Sequence, residues 1–313
     1  MASRKRTPAQ DRPDLTPTLW TLAAIAVMAA GIYHLFYDET AIAGRSALLI
    51  AAIVVPGLLL FFWQEWSWRR VLAASQDPIL VALSGAAALA VWPIAWWLMS
   101  LLDEEVLFEM LGAYAAPSIY RPINWEEIWT PLVLTDVVLV PLALMPVLWG
   151  GLCGQLKGLK RWQALMIVAA VFGVLGMVLY GQGIVGFFGY GLCGLIGAFV
   201  TLQTRTAWSG FAVHATFMYA NLNFLDNLLR EMVVRPESGG IEAEPYFGTK
   251  WLSLVLVASL IVVVLMQIIR FRSEEPESKA QSRPHANLQG WGAVAVMFLV
   301  CCFVVVDEIQ RRA

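Results

Sequence analysis

Charge is scarce in this chain. Only 14% of its 313 residues are Asp, Glu, Lys or Arg and 59% are hydrophobic, whereas a soluble domain is about a quarter charged. That shortage excludes a water-soluble globule. The charges that exist nearly cancel, with 21 basic and 23 acidic residues for a net of −2, so there is no basic excess to hold a nucleic acid. Histidine is rarer still, at three residues. The four cysteines, Cys153, Cys193, Cys301 and Cys302, all fall in apolar runs, where thiols pack as small hydrophobes and build no disulfide framework. There is no internal repeat and no polar segment large enough to hold a core of its own.

Long apolar runs are abundant. A hydrocarbon core of about 30 Å takes roughly 20 helical residues to cross, because amides in lipid must bond within their own segment. Nine stretches meet that need: Leu19 to Tyr37, Ser46 to Trp63, Pro78 to Leu102, Pro131 to Cys153, Trp162 to Gly181, Ile184 to Gln203, Trp208 to Leu225, Trp251 to Ile269 and Trp291 to Val306. His214, Asn221 and Asn223 interrupt the seventh, and the ninth is short. The fold class is therefore all-α, a polytopic transmembrane bundle of about nine helices without a sizeable soluble domain.

Loop charges set an orientation, since cytoplasmic loops collect Lys and Arg. Arg4, Lys5 and Arg6 precede the first span; Arg69 and Arg70, then Lys157, Lys160 and Arg161, then Arg205, then Arg270 and Arg272 follow in alternate loops. The intervening loops are acidic or nearly uncharged, above all 103–129 with Glu104, Glu105, Glu109, Glu126 and Glu127 against the single Arg121. Arg311 and Arg312 alone are discordant. The first span follows a basic stretch, as a signal peptide's does, but is long for that role and has no small-residue cleavage site, so it reads as a retained helix. The expectation is an integral protein of a bacterial cytoplasmic membrane with its N-terminus in the cytoplasm.

This divides the chain into a basic N-terminus (1–18), three peripheral spans (19–102), an acidic outer loop (103–130), a four-helix core (131–226), an outer loop (227–250), a span (251–269), a cytoplasmic linker (270–290) and a final span with its tail (291–313). Glycines mark the core. Gly186, Gly189, Gly194 and Gly197 recur at helical spacing on the sixth span, with Gly150, Gly154 and Gly158 on the fourth and Gly173 with Gly176 on the fifth. In lipid, helices associate through such small residues rather than through hydrophobic transfer. Tryptophans cluster at span ends as interfacial anchors. Trp92, Trp96 and Trp97 lie within the third span, where they pack or line a groove for a lipid or a pigment.

Ionisable and amide side chains deep in a span are costly and default to functional candidates. Here they are His214 and Asn221, seven residues apart on one face of the seventh span, with Asn223 and Asp226 toward its outer end and Asp136 on the fourth. His214 is expected to meet the 145–150 part of the fourth span, and Asp136 to meet 221–226. A hydrolytic metal needs about three protein ligands and an activated water. His34 near an outer end and His285 in the linker do not readily join His214, so no metal is assigned. Ser84, Ser100 and Ser209 have no His and acid partners.

The stretch from Gly191 to Leu222, GLCGLIGAFVTLQTRTAWSGFAVHATFMYANL, resembles the closing part of the CAAX-protease and bacteriocin-processing family of intramembrane enzymes. There a Gly-rich helix leads through a short turn into a helix bearing a His, here His214; residues 149–174 are similar in length and texture to the family's earlier motif helices. The resemblance implies a glutamate-activated water held by His and Asn. In the register of best spacing the paired Glu positions are Met145 and Pro146, the Arg is Gly150, the second His is Gly176 and the Asn is Met218, leaving His214 alone. A competing register uses Glu104 and Glu105 in DEEVLFEM, with Glu109 in place of Arg.

Catalytic groups of this kind act as a unit, so the resemblance implies a degenerate member, a subunit, scaffold or assembly factor with a membrane-protein partner. Two other readings stay open. One is an active intramembrane endopeptidase using His214 with Glu104 or Glu105. The other is a carrier or transporter of a lipid, pigment or small solute built on Asp136, Asn221, Asn223 and Asp226.

Overall fold

The computed structural model describes residues 14–35, 42–64, 77–102, 133–180, 183–233, 249–273 and 288–312. Nine helical segments and no strand occur among them. They are α1 (Thr16–Leu35), α2 (Ile42–Trp63), α3 (Pro78–Leu101), a composite α4 (133–158), α5 (Arg161–Leu179), α6 (Gly183–Thr204), α7 (Ala207–Val233), α8 (Thr249–Arg272) and α9 (Leu288–Arg312). Six of these, α3 to α6 with α8 and α9, are long and apolar enough to cross a membrane, while α1 and α2 carry shorter apolar helices at Thr16–Ile32 and Ala47–Trp63. The protein is thus a multi-pass helical membrane protein.

Contacts between helix ends match a path that alternates direction. Near the start of α1, Thr18 Oγ1 donates to Gln155 Oε1 at 2.8 Å at the end of α4. Arg161 at the start of α5 donates to Gln203 Oε1 at the end of α6, 2.6 Å away, and Arg272 at the end of α8 donates to Asp77 before α3, also at 2.6 Å. At the opposite rim His34 and Asp307, near the ends of α1 and α9, lie 3.3 Å apart. A strictly up-and-down chain puts each of these pairs on one side. The same Asp77 caps α3, Oδ1 accepting from the Ile79 amide at 2.9 Å ahead of Pro78 at the first turn.

Proline accounts for the irregular α4. Pro141 and Pro146 have no N–H to give, and each ring pushes against the carbonyl four residues back. The helix responds by widening into π turns over Val133–Leu139 and Met145–Leu152, with a short α segment, Val140–Leu144, between them. The bond from the Cys153 amide to the Leu148 carbonyl spans five residues, as a π turn requires. It then tightens to a 3₁₀ turn at Leu156–Gly158.

Glycine sets the spacing of the interior. A Cβ on Gly173 would stand 2.7 Å from the Phe187 carbonyl oxygen, and one on Gly176 would collide with the Tyr190 side chain. Helices α5 and α6 therefore touch backbone to backbone, which is how helices gain attraction in lipid. Of the three helices placed by sequence at the periphery, α3 is not peripheral. It packs against α6, α7 and α8, with Ala87, Ala88, Ala95 and Trp96 buried. Its alanines and Gly85, which faces Thr216 of α7, allow the approach that its tryptophans seemed to argue against.

Candidate functional site

The motif histidine lies in a cage of rings. His214, one third of the way along α7, is fully buried. Its Nε2 stands 2.7 Å from the Tyr180 hydroxyl, and Phe172 meets it edge-on with centroids 4.7 Å apart. Tyr190 stacks on Tyr180 at 4.9 Å and touches Phe172 and Phe217 edge to face. Trp149 closes the next layer against Phe172, centroids 5.4 Å apart. The phenol and Nε2 share one hydrogen bond, its direction set by the imidazole tautomer, and Nδ1 has no hydrogen-bond partner among the described atoms.

Small residues make the room for these rings. The Trp149 indole lies between Gly197 of α6 and Gly210 of α7: a Cβ on Gly210 would come within 2.5 Å of the ring, and one on Gly197 would strike it. The link between the two helices is only Arg205 and Thr206. Arg205 takes a left-handed φ of 58°, a conformation rare outside glycine. Thr204 Oγ1 donates to the Val200 carbonyl and is hydrogen-bonded to the Ser209 hydroxyl across the link, and Thr206 Oγ1 accepts from the Trp208 amide at 3.3 Å. This turn fixes how far α7 has risen when it presents His214.

The partners of His214 differ from the sequence expectation. Its hydrogen-bond and ring partners are on α5, Tyr180 and Phe172, while α7 also packs against the Met145–Leu152 part of α4, where Trp149 lies against Gly210. Tyr180 is the residue that sequence reasoning missed: it falls inside the fifth apolar stretch, Trp162 to Gly181, and was not singled out there as a polar group, and in the structure it caps the end of α5. Helical side chains lean toward the N-terminus, so a residue at that outer end reaches back into the interior. The available signal was chemical: a Tyr hydroxyl bordering an apolar span must find a partner.

Asn221 is also buried, and its Oδ1 accepts from Trp92 Nε1 at 3.4 Å. Trp92 thus packs against α7 rather than facing a groove, and Trp96 is buried with it. Asp136 is half-buried in the first π segment of α4, and that segment packs against α7. The side chains of Asn223 and Asp226 lie outside what is described, as do Glu104 and Glu105 entirely. Among the described residues no three His, Cys, Asp or Glu side chains approach closely enough to hold a metal ion.

Chemically, the cage holds one imidazole paired to one phenol, with the Phe172 ring set edge to face against it. No carboxylate among the described residues contacts the ring. Such a site orients and packs. It can pass a proton between its two groups. The chain matches no protein-family model, no curated protein and no solved structure.

Proposed function

We propose that the chain is a degenerate CAAX-protease-like membrane protein, acting as a subunit, scaffold or assembly factor in a bacterial cytoplasmic membrane with its N-terminus inside. The observation that supports this reading is the filling of the His214 cage. The places where the resemblance puts acids, Arg, His and Asn carry Met145, Pro146, Gly150, Gly176 and Met218. Gly176 receives the Tyr190 ring and Met145 is buried in the core. An interior that has exchanged water-holding groups for interlocking rings gains rigidity, and rigidity is what a protein needs to offer a fixed surface to a partner.

The test is copurification. Extraction of the full chain in mild detergent brings down a stoichiometric membrane partner, and a His214→Phe variant still does so. A strictly monomeric particle, or a precursor that accumulates uncleaved only in cells carrying His214→Phe, would overturn the reading.

A further inference from the structure

A recess opens between α1, α5 and α9 at the depth of the apolar spans. Its volume is about 490 Å³, and its walls include Leu19 of α1, Val171 and Val174 of α5, and Trp291, Val294 and Phe298 of α9. That volume is within the range of roughly 300–1,000 Å³ typical of small-molecule sites. No lining residue carries a charge or a hydroxyl. A water needs two to four polar partners to settle in a cavity, and these side chains offer at most the Trp291 indole N–H and the weak Cys301 thiol, while an unfilled space would forfeit dispersion contacts along the whole wall. In a bilayer the group that satisfies such a recess is a hydrocarbon chain.

The end of the recess near the start of α5 is cationic. Lys160 immediately precedes the first turn of α5, and Ile167, a wall residue, lies less than two turns into that helix. Lys157 lies in the turn just before it, five residues after the wall residue Leu152, with the charge of Arg205 beside it, and both lysines are exposed. Asp14, which precedes the wall residue Leu15, accepts from the Thr16 amide at 2.9 Å and starts α1, and its carbonyl takes the Gln155 side chain. Trp291, exposed at the same end, is placed as an interfacial tryptophan is.

We propose that this recess binds one acyl chain of an anionic phospholipid, with the phosphate at Lys157 and Lys160. The inference is independent of whether the chain has a protein partner.

The full chain is purified in nonionic detergent, exchanged into discs containing phosphatidylglycerol or phosphatidylcholine, and its retained lipid is read by native mass spectrometry. Wild type keeps one phosphatidylglycerol. Ala170→Trp, which fills the recess from its rim, keeps none while its circular dichroism is unchanged. Val174→Phe gives a second plug should the first misfold. Lys157→Gln and Lys160→Gln still keep a lipid, but each lowers the preference for phosphatidylglycerol about fivefold. The proposal is overturned if wild type comes out lipid-free or occupied by a protein helix, if both lipids are retained equally, or if the plugged variants keep their lipid.

Discussion

Helices α6 and α8 are both apolar throughout, yet they do opposite things. Of the six span-length helices α8 is the most hydropathic, and only 11% of its apolar window is buried, against 61% for α6 and 67% for α5. Helix α8 contains no glycine, whereas α6 contains six. In water the most apolar segment would form the core. In lipid the transfer term is absent, and close backbone approach decides who is inside. The aromatic cage around His214 follows from that rule, because rings fill the space that glycines open.

The contrast is broken most severely at its centre. Trp149→Ala leaves a hole between Gly197 and Gly210 and lowers stability by about 3–5 kcal/mol, measured by reversible unfolding in mixed micelles. Gly176→Val forces a branched side chain into the Tyr190 ring and costs about 1–3 kcal/mol; if instead it is tolerated, the Tyr190 ring is not seated against α5 at Gly176. Tyr180→Phe strands His214 Nε2 in the interior, at a cost of about 1–3 kcal/mol, and pairing it with His214→Phe recovers part of that loss because both partners then leave together. Additive effects of the two changes would show that the bond contributes nothing.

At the lipid-facing end the effects shrink. Helix α8 is tied to α3 by Arg272 and Asp77, and the hydrogen bond from Arg272 holds the Asp77 carboxyl below its usual range. A carboxyl depressed in the folded state stabilises the fold at neutral pH, and the benefit disappears as pH falls through that depressed value. Asp77→Asn therefore lowers the melting temperature slightly at pH 7 and not at all in strong acid. A difference that persisted in acid would instead point to the lost cap on Ile79. Leu260→Ala on the exposed face of α8 changes stability by less than about 0.5 kcal/mol.

Element existence was legible because lipid demands a minimum length of apolar helix, and the nine stretches fall on nine observed helices, Pro78 to Leu102 against Pro78–Leu101 for example. The seventh was the hardest to see for the reason that makes it interesting: His214 and Asn221 interrupt its apolar run, and α7 is absent from the six qualifying spans. The position of α3 was misjudged because tryptophan was weighed above its alanines. The burial of His214 and Asn221 was legible from their place in an apolar run. Their partners were not, because Tyr180 and Trp92 are amphipathic and carry no periodicity that points to them. The π turns of α4 had a visible cause in Pro141 and Pro146, but which way a proline-strained helix yields depends on its neighbours.

The central claim is that the interior around His214 packs rather than reacts. The most direct test compares the membrane proteome of cells expressing wild type or His214→Phe, with the same partner pulled down from each. The account predicts equal recovery of that partner and identical processed forms of every membrane protein. A substrate left uncleaved in the variant, and restored by the wild-type chain, would contradict it.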